Sequence, residues 1–201
     1  MLNITKYITI IILAGILCGC TSQISQTQAT DYHPSWQTRQ RQLRKITNWQ
    51  LRGYMTMQSP QENLTAFLNW KQQAKNYAIY LSGPLGIGTV HIYGQPGKFI
   101  LQTAKGKKFV ARTPEQLVRQ QLGWKLPISS LYYWIRGIPV PRIHAIGYFD
   151  DCHRLTELDQ QGWKIYYQNY IRTANLDLPS AIILCYPNIN VKIVINRWVA
   201  K

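Results

Sequence analysis

From Trp49 onward, apolar and polar residues exchange places with a period of two, and that period dictates a sheet. Trp49, Leu51, Gly53, Met55 and Met57 alternate with Gln50, Arg52, Tyr54 and Thr56. Leu64, Ala66, Leu68 and Trp70 alternate with Thr65, Phe67, Asn69 and Lys71. Successive side chains of a strand point to opposite faces, so one face of this sheet meets a core and the other meets water. Tyr77, Ile79 and Leu81 continue the pattern, then Val90 and Ile92, then Phe99 and Leu101. The interruptions are short and turn-like, as at Lys75-Asn76 and Gly94-Gln95-Pro96-Gly97. The pattern predicts an antiparallel meander.

The period changes in the middle of the chain. Thr113-Pro114-Glu115-Gln116 has the residues of a capping box with proline in the first turn, and the helix it starts ends near Gly123. A second helix is predicted from about Ser129 to Arg136, stopped by Gly137 with Pro139 and Pro141 beyond; Leu131, Trp134 and Ile135 share one of its faces. Four more strands follow, at about 153–159, 163–170, 180–186 and 191–199, with Gln160-Gln161-Gly162 and Pro187-Asn188-Ile189-Asn190 as hairpin turns. A twisted sheet of nine or more strands tends to curl. The expected fold class is therefore mainly β (α+β): a single antiparallel barrel or half-barrel with its apolar face inward and two helices filling or lidding its open side. Barrels of this size enclose a ligand cavity in some proteins and a solid core in others, and the composition fits both.

In this meander Cys152 lies opposite residues near Tyr170, and Cys185 opposite residues near Ile165. The thiols stand two strands apart and offset along the sheet, at ~4.8 Å per strand, so no bridge is expected even in an oxidising compartment.

The first residues say where the chain goes. An apolar run from Ile8 to Leu17, preceded by Lys6, is too short for a bilayer span of ~20 residues and suits a signal peptide. It ends in Leu17-Cys18-Gly19-Cys20. Cys20 has the small residue before it and the aliphatic residue three before it that lipoprotein processing requires; Cys18 does not. Acyl chains on Cys20 would anchor the protein to a membrane without spanning it. Thr21, in place of an Asp, favours the outer membrane. Residues 1–19 thus read as a lipoprotein signal peptide, 20–33 as a Ser, Thr and Gln-rich tether, and 34–201 as one domain. Pro34 opens a helix in which Trp36, Gln40, Leu43 and Ile46 lie near helical spacing, among Arg39, Arg41, Arg44 and Lys45. It is expected to pack on the sheet with its charges in water, rather than to touch lipid head groups. The formal charge of +15 suits anionic lipid or an acidic protein; the envelope location removes nucleic acid.

Seven stretches, in order, carry a resemblance: Trp49-Gln50-Leu51-Arg52-Gly53; Asn69-Trp70-Lys71-Gln72; Gly83-Pro84-Leu85-Gly86; Leu122-Gly123-Trp124-Lys125-Leu126-Pro127-Ile128; Leu131-Tyr132-Tyr133-Trp134-Ile135-Arg136-Gly137-Ile138-Pro139; Gln161-Gly162-Trp163-Lys164-Ile165-Tyr166-Tyr167; and Val191-Lys192-Ile193 to Trp198. Their order and spacing behind a lipidation signal resemble the LolB family of outer-membrane lipoprotein receptors, from about Trp36 to the C-terminus. The resemblance implies an unclosed β-barrel with a helical lid over a hydrophobic cavity. It implies a receptor, lipid-anchored on the periplasmic face of the outer membrane, that takes lipoproteins from a LolA-like periplasmic carrier and inserts them into that membrane. Leu85, between Pro84 and Gly86, matches the family's protruding hydrophobic loop residue, associated with inserting the cargo. The cavity-lining candidates, taken from the apolar face, are Leu51, Leu68, Trp70, Ile79, Leu81, Ile92, Leu101, Trp134, Ile193 and Ile195. Basic residues near the cavity mouth would dock an acidic rim on the carrier. A monomer without cofactor is expected.

Catalysis has little to work with. His33, His91, His144 and His153 are scattered, no HExxH, GxSxG or CxxC pattern occurs, and Asp150-Asp151-Cys152-His153 reads as a turn rather than a metal site or nucleophile. No catalytic or metal-binding residue is expected. The alternative is a structural or assembly lipoprotein that binds proteins at the outer membrane and transfers no acyl chains.

Overall fold

A computed structural model describes residues 35–60, 62–173 and 175–200. The predicted signal peptide, Cys20 and the tether lie outside the described residues. A helix, α1 (Trp36–Lys45), leads into β1 (Asn48–Gln58), β2 (Asn63–Gln73), β3 (Asn76–Ser82), β4 (Val90–Gln95), β5 (Lys98–Thr103) and β6 (Lys108–Ala111). Two helices follow, α2 (Pro114–Leu122) and α3 (Ile128–Trp134). The chain then forms β7 (Ile146–Phe149), β8 (Leu155–Gln160), β9 (Trp163–Thr173), β10 (Leu176–Tyr186) and β11 (Ile189–Ala200).

All eleven strands form one sheet in the order β6-β5-β4-β3-β2-β1-β11-β10-β9-β8-β7. Every neighbouring pair is antiparallel. The two meanders join where β1 pairs β11, and β6 and β7 are left as edges, so the barrel stays open. Those two edges are the strands absent from the sequence reading. Each has four residues, two per face, too few to display a period.

The curl has a local cause in β1. The register against β11 shifts between Arg52 and Gly53, a bulge that bends a strand and sharpens its twist. A Cβ at Gly53 would lie 1.9 Å from the Val194 carbonyl oxygen, so only glycine fits there. A second irregularity lies at Pro179, where β10 shifts register against β9. Proline has no N–H to give to a ladder, and it hid the strand from the periodicity: β9 and β10 extend to Thr173 and back to Leu176, beyond the 163–170 and 180–186 expected.

The helices follow their capping residues. The Thr113 hydroxyl accepts from Gln116 N, while the Gln116 side chain accepts from Thr113 N. At the other end of α2 Gly123 takes a left-handed conformation, with Gly123 N bonded to Arg119 O and Trp124 N to Val118 O. In α3, Leu131 and Trp134 are buried, as is Ile135 directly after it. Helix α1 buries Leu43 and leaves Arg41, Arg44 and Lys45 exposed. Its other arginine corrects the expectation that all these charges sit in water: Arg39 is only 4% exposed. It donates to the Asp177 carbonyl and lies over the Tyr170 ring, and burial pulls its pKa down. Cys185 pairs Lys164 across the sheet, and no disulfide joins Cys185 to Cys152.

Candidate functional site

The apolar face of the sheet is concave, and α2, α3 and the segment between them cover it. Beneath that cover lies a void of about 20 Å³ with a wholly apolar lining. From the sheet it is walled by Met55, Leu68, Trp70, Ile79, Leu81, Ile92 and Ile193; from the cover by Val118, Trp124, Leu126, Ile128 and Leu131. Six of the ten residues picked from the sequence therefore face it: Leu68, Trp70, Ile79, Leu81, Ile92 and Ile193. The other four, Leu51, Leu101, Trp134 and Ile195, are buried in the surrounding core. Met55 belonged to the same alternation and was legible there. Trp124 and Leu126 were not picked, because they lie in the connection between the two predicted helices; the signal there is that Trp124, Leu126 and Ile128 repeat every second residue up to the start of α3.

The cover is thinnest at that segment. One groove of about 320 Å³ is lined by Met57, Glu62, Leu122, Trp124, Tyr186 and Ile189, among others. A second, of about 240 Å³, is lined by Glu115, Trp124, Leu126, Gln161 and Trp163, among others. Trp124 lines both grooves and the void, and Leu126 lines one groove and the void. The Gly123–Pro127 segment is thus a single wall between solvent-facing grooves and an apolar interior. Trp124 Nε1 donates to Glu62 Oε2 at 2.9 Å, and Ser130 Oγ donates to Gln161 Oε1 at 2.7 Å.

The other end of α3 is held more firmly. Gln160, buried, uses all its side-chain valences: Oε1 accepts from Trp134 Nε1 (2.8 Å) and Val140 N (2.9 Å), and Nε2 donates to Val140 O (3.0 Å) and Ile143 O (3.1 Å). Tyr167 OH donates to Trp134 O at 3.0 Å. Arg136, 1% exposed, sends Nη1 to Ile46 O (2.7 Å) and Leu43 O (3.2 Å) and Nε to Tyr132 O (3.0 Å), with its guanidinium 4.0 Å from the centre of the Tyr132 ring. Burial pulls its pKa down. The cation has the C-terminal carbonyls of α1 and an aromatic face in place of an acid, so it clamps α1 to the end of α3.

The Pro84–Gly86 loop stands away from the core. Leu85 is 99% exposed and Ile87 74% exposed. Leu85 has φ 54° and ψ 21°, left-handed values that cost an L residue ~1–2 kcal/mol. The loop closes on itself through Gly83 N to Ile87 O (3.0 Å), Gly86 N to Gly83 O (3.1 Å) and Thr89 Oγ1 to Gly86 O (2.7 Å). A Cβ at Gly83 would meet the Ile87 oxygen at 2.4 Å. The loop is a stiff mount that presents a leucine to solvent.

The Asp150-Asp151-Cys152-His153 stretch is a turn: the Asp150 carboxylate accepts from Cys152 N, Arg154 N and Arg154 Nε. Among the described residues no group of His, Cys, Asp and Glu is arranged to hold a metal, and no helix is long and apolar enough to cross a membrane.

The family profile described as "LolB: Outer membrane lipoprotein LolB" matches residues 47–198. An outer-membrane lipoprotein LolB of Coxiella burnetii is 38% identical over 199 residues, covering 98% of this chain and 94% of its own. Its counterpart in Pseudomonas savastanoi is 33% identical over 195 residues, covering 96% and 95%. Among solved structures, a LolA superfamily protein of Nitrosomonas europaea superposes with a TM-score of 0.57 at 8% identity, over 84% of this chain and 94% of that one. That last likeness is one of fold.

Proposed function

The chain belongs to the LolB family of outer-membrane lipoproteins, and from that premise we propose how it works. It is an outer-membrane lipoprotein receptor in lipoprotein localisation. Residues 1–19 are removed, Cys20 carries the acyl anchor, 20–33 tether the domain, and the domain acts as a monomer. Its partners are a LolA-like periplasmic carrier and the acyl chains of the cargo. The work is binding and transfer, with no cofactor and no covalent step.

The physical problem is exposure. Each methylene left in water costs ~0.8 kcal/mol, so a cargo acyl chain needs an apolar path from carrier to membrane. A cavity needs ~10–15 Å³ to hold one water, so a void of about 20 Å³ is too small for an acyl chain until its walls part. The acyl chain enters when the Gly123–Pro127 wall lifts from the sheet, and its methylenes then take the places of Trp124 and Leu126 against Leu68, Trp70 and Ile79. That exchange replaces one apolar contact by another and strands no hydrogen-bonding group inside. The observation carrying this reading is that an apolar void and two neighbouring grooves share one connecting segment as their wall, through Trp124 and Leu126. Leu85 then leads the cargo into the membrane.

The test uses the mature chain with Cys20→Ala, mixed with a carrier–lipoprotein complex in the absence of vesicles. The lipoprotein is expected to move onto it. Absence of transfer, from folded protein and a matched carrier, would sink the receptor reading and bring forward the assembly lipoprotein. With vesicles added, Leu85→Glu should accept cargo and fail to insert it.

A further inference from the structure

Charge on this protein is divided between the two halves of the sheet. Residues 63–114 hold Lys71, Lys75, Lys98, Lys105, Lys107, Lys108 and Arg112 and not one Asp or Glu. The ion pairs among the described residues all lie beyond residue 149, between Arg154, Lys164 or Arg172 and Asp150, Glu157, Asp159 or Asp177. The basic residues of β2–β6 are therefore uncompensated locally, and three of them cluster. Lys105, Lys107 and Lys108 lie in and beside the turn from β5 to β6, all exposed.

That turn is the neighbour of the Leu85 loop. The loop enters β4 at Val90, and Val90 pairs Thr103, the last residue of β5. Ala104 N donates to Thr89 O at 3.0 Å, and Thr89 Oγ1 donates to Gly86 O at 2.7 Å. Adjacent strands stand ~4.8 Å apart, so the turns that carry the lysines and the exposed Leu85 and Ile87 are neighbours at one end of the sheet. An apolar wedge beside a local cluster of cations has the chemistry of a membrane interface: apolar side chains enter the acyl boundary while ammonium groups meet phosphates.

We infer that Lys105, Lys107 and Lys108 form, with the Leu85 loop, a docking surface for the anionic phospholipid headgroups of the membrane that receives the cargo. This deepens the insertion role proposed for Leu85 and rests on it. The lysines hold the domain so that Leu85 and Ile87 point into the leaflet, and they add a long-range attraction that leucine lacks. The β1–β2 hairpin, with Glu62 in the larger groove, lies at the same end of the sheet, because β2 runs from it alongside β3, with Phe67 opposite Ser82 at the start of the loop. That groove shares the Trp124 wall with the void, so cargo leaving past this wall is delivered next to lipid.

The test is co-sedimentation of the mature Cys20→Ala chain with phosphatidylethanolamine vesicles with and without phosphatidylglycerol. The unsubstituted chain should bind the anionic vesicles more tightly, and salt should weaken that binding. Combined Lys105→Gln, Lys107→Gln and Lys108→Gln should weaken it about a hundredfold, at ~1 kcal/mol per lysine near an anionic surface. Combined Arg41→Gln, Arg44→Gln and Lys45→Gln, which remove the same charge from α1, should weaken it far less. Equal binding to both vesicle types, or equal loss in the two triple variants, would overturn the proposal. So would a lysine triple variant that binds vesicles normally and no longer accepts cargo from the carrier, since the lysines would then be a carrier contact. Cargo acceptance without vesicles is scored separately: its failure in the unsubstituted chain counts against the receptor reading, while the vesicle comparison still decides the docking surface.

Discussion

Over β8 and β9 the end of α3 is tied down by directional bonds: Trp134 Nε1 to Gln160, Tyr167 OH to Trp134 O, and Arg136 to the end of α1. Over β2–β4 the cover rests on Leu68, Trp70, Ile79, Leu81 and Ile92 through apolar side chains around a void. Buried hydrogen bonds are costly to break, because each orphaned group loses ~1–3 kcal/mol. Apolar contact is non-directional and can be exchanged for another apolar surface at little cost. One cover therefore has a fixed end and an exchangeable end. On the entry route proposed above, the Trp134–Gly137 end would serve as the hinge and the Gly123–Pro127 segment as the part that moves.

The comparison can be broken most directly at the fixed end. Gln160→Leu strands Trp134 Nε1, Val140 N–H and two carbonyls, and should cost roughly 3–5 kcal/mol of stability by urea unfolding. A loss under about 1 kcal/mol would mean the end is not pinned by these bonds. At the exchangeable end, Glu62→Ala removes the acceptor of a single, partly exposed bond. It should cost about 1 kcal/mol or less and speed cargo acceptance. Amide exchange should report the same contrast without mutation, with amides of 123–127 exchanging ahead of those of 134–137. The loop gives a smaller effect on stability and a large one on function. Leu85→Gly should leave stability unchanged or raise it by up to about 1 kcal/mol, because the left-handed strain goes, while cargo insertion into vesicles falls.

The smallest effect is electrostatic and confined to the bonded half. Burial pushes the Asp150 carboxyl up, but hydrogen bonds from the Arg154 backbone and side chain, and the guanidinium charge, outweigh it and hold the pKa below its usual value. The folded value lies below the unfolded one, so the contribution is complete above about pH 4 and fades as pH falls through the folded value. Asp150→Asn should cost about 1 kcal/mol or less at neutral pH, the scale of a partly exposed ion pair, and the difference should shrink in acid.

How far the sequence could be read varied with how local each signal was. The long strands around Trp49–Met57 and Leu64–Trp70 were plain, since five and four positions in alternation leave one assignment. The helix caps at Thr113 and Gly123 were equally plain, because capping is satisfied within a few residues. The edge strands β6 and β7 were hidden by their length, and the β9–β10 turn by Pro179. Gln160, read as a turn residue, and Arg136, read as the end of a helix, gave no sign of their role: such polar residues are unremarkable until the elements they join are packed together, with Gln160 closing β8 and Arg136 just past α3.

The chain's own order of residues determined the open antiparallel sheet, its apolar face, the two central helices and the family, because alternation, capping and motif spacing are properties of neighbours in sequence. Tertiary structure alone decided that the sheet curls at Gly53, that Trp124 and Leu126 wall the void, and that one end of the cover is held by a buried hydrogen-bond network while the other keeps only a few partly exposed bonds. Those facts depend on side chains that meet from distant parts of the chain, such as Gln160 with Trp134 and Arg136 with Ile46. Nothing in local spacing encodes such meetings; packing does.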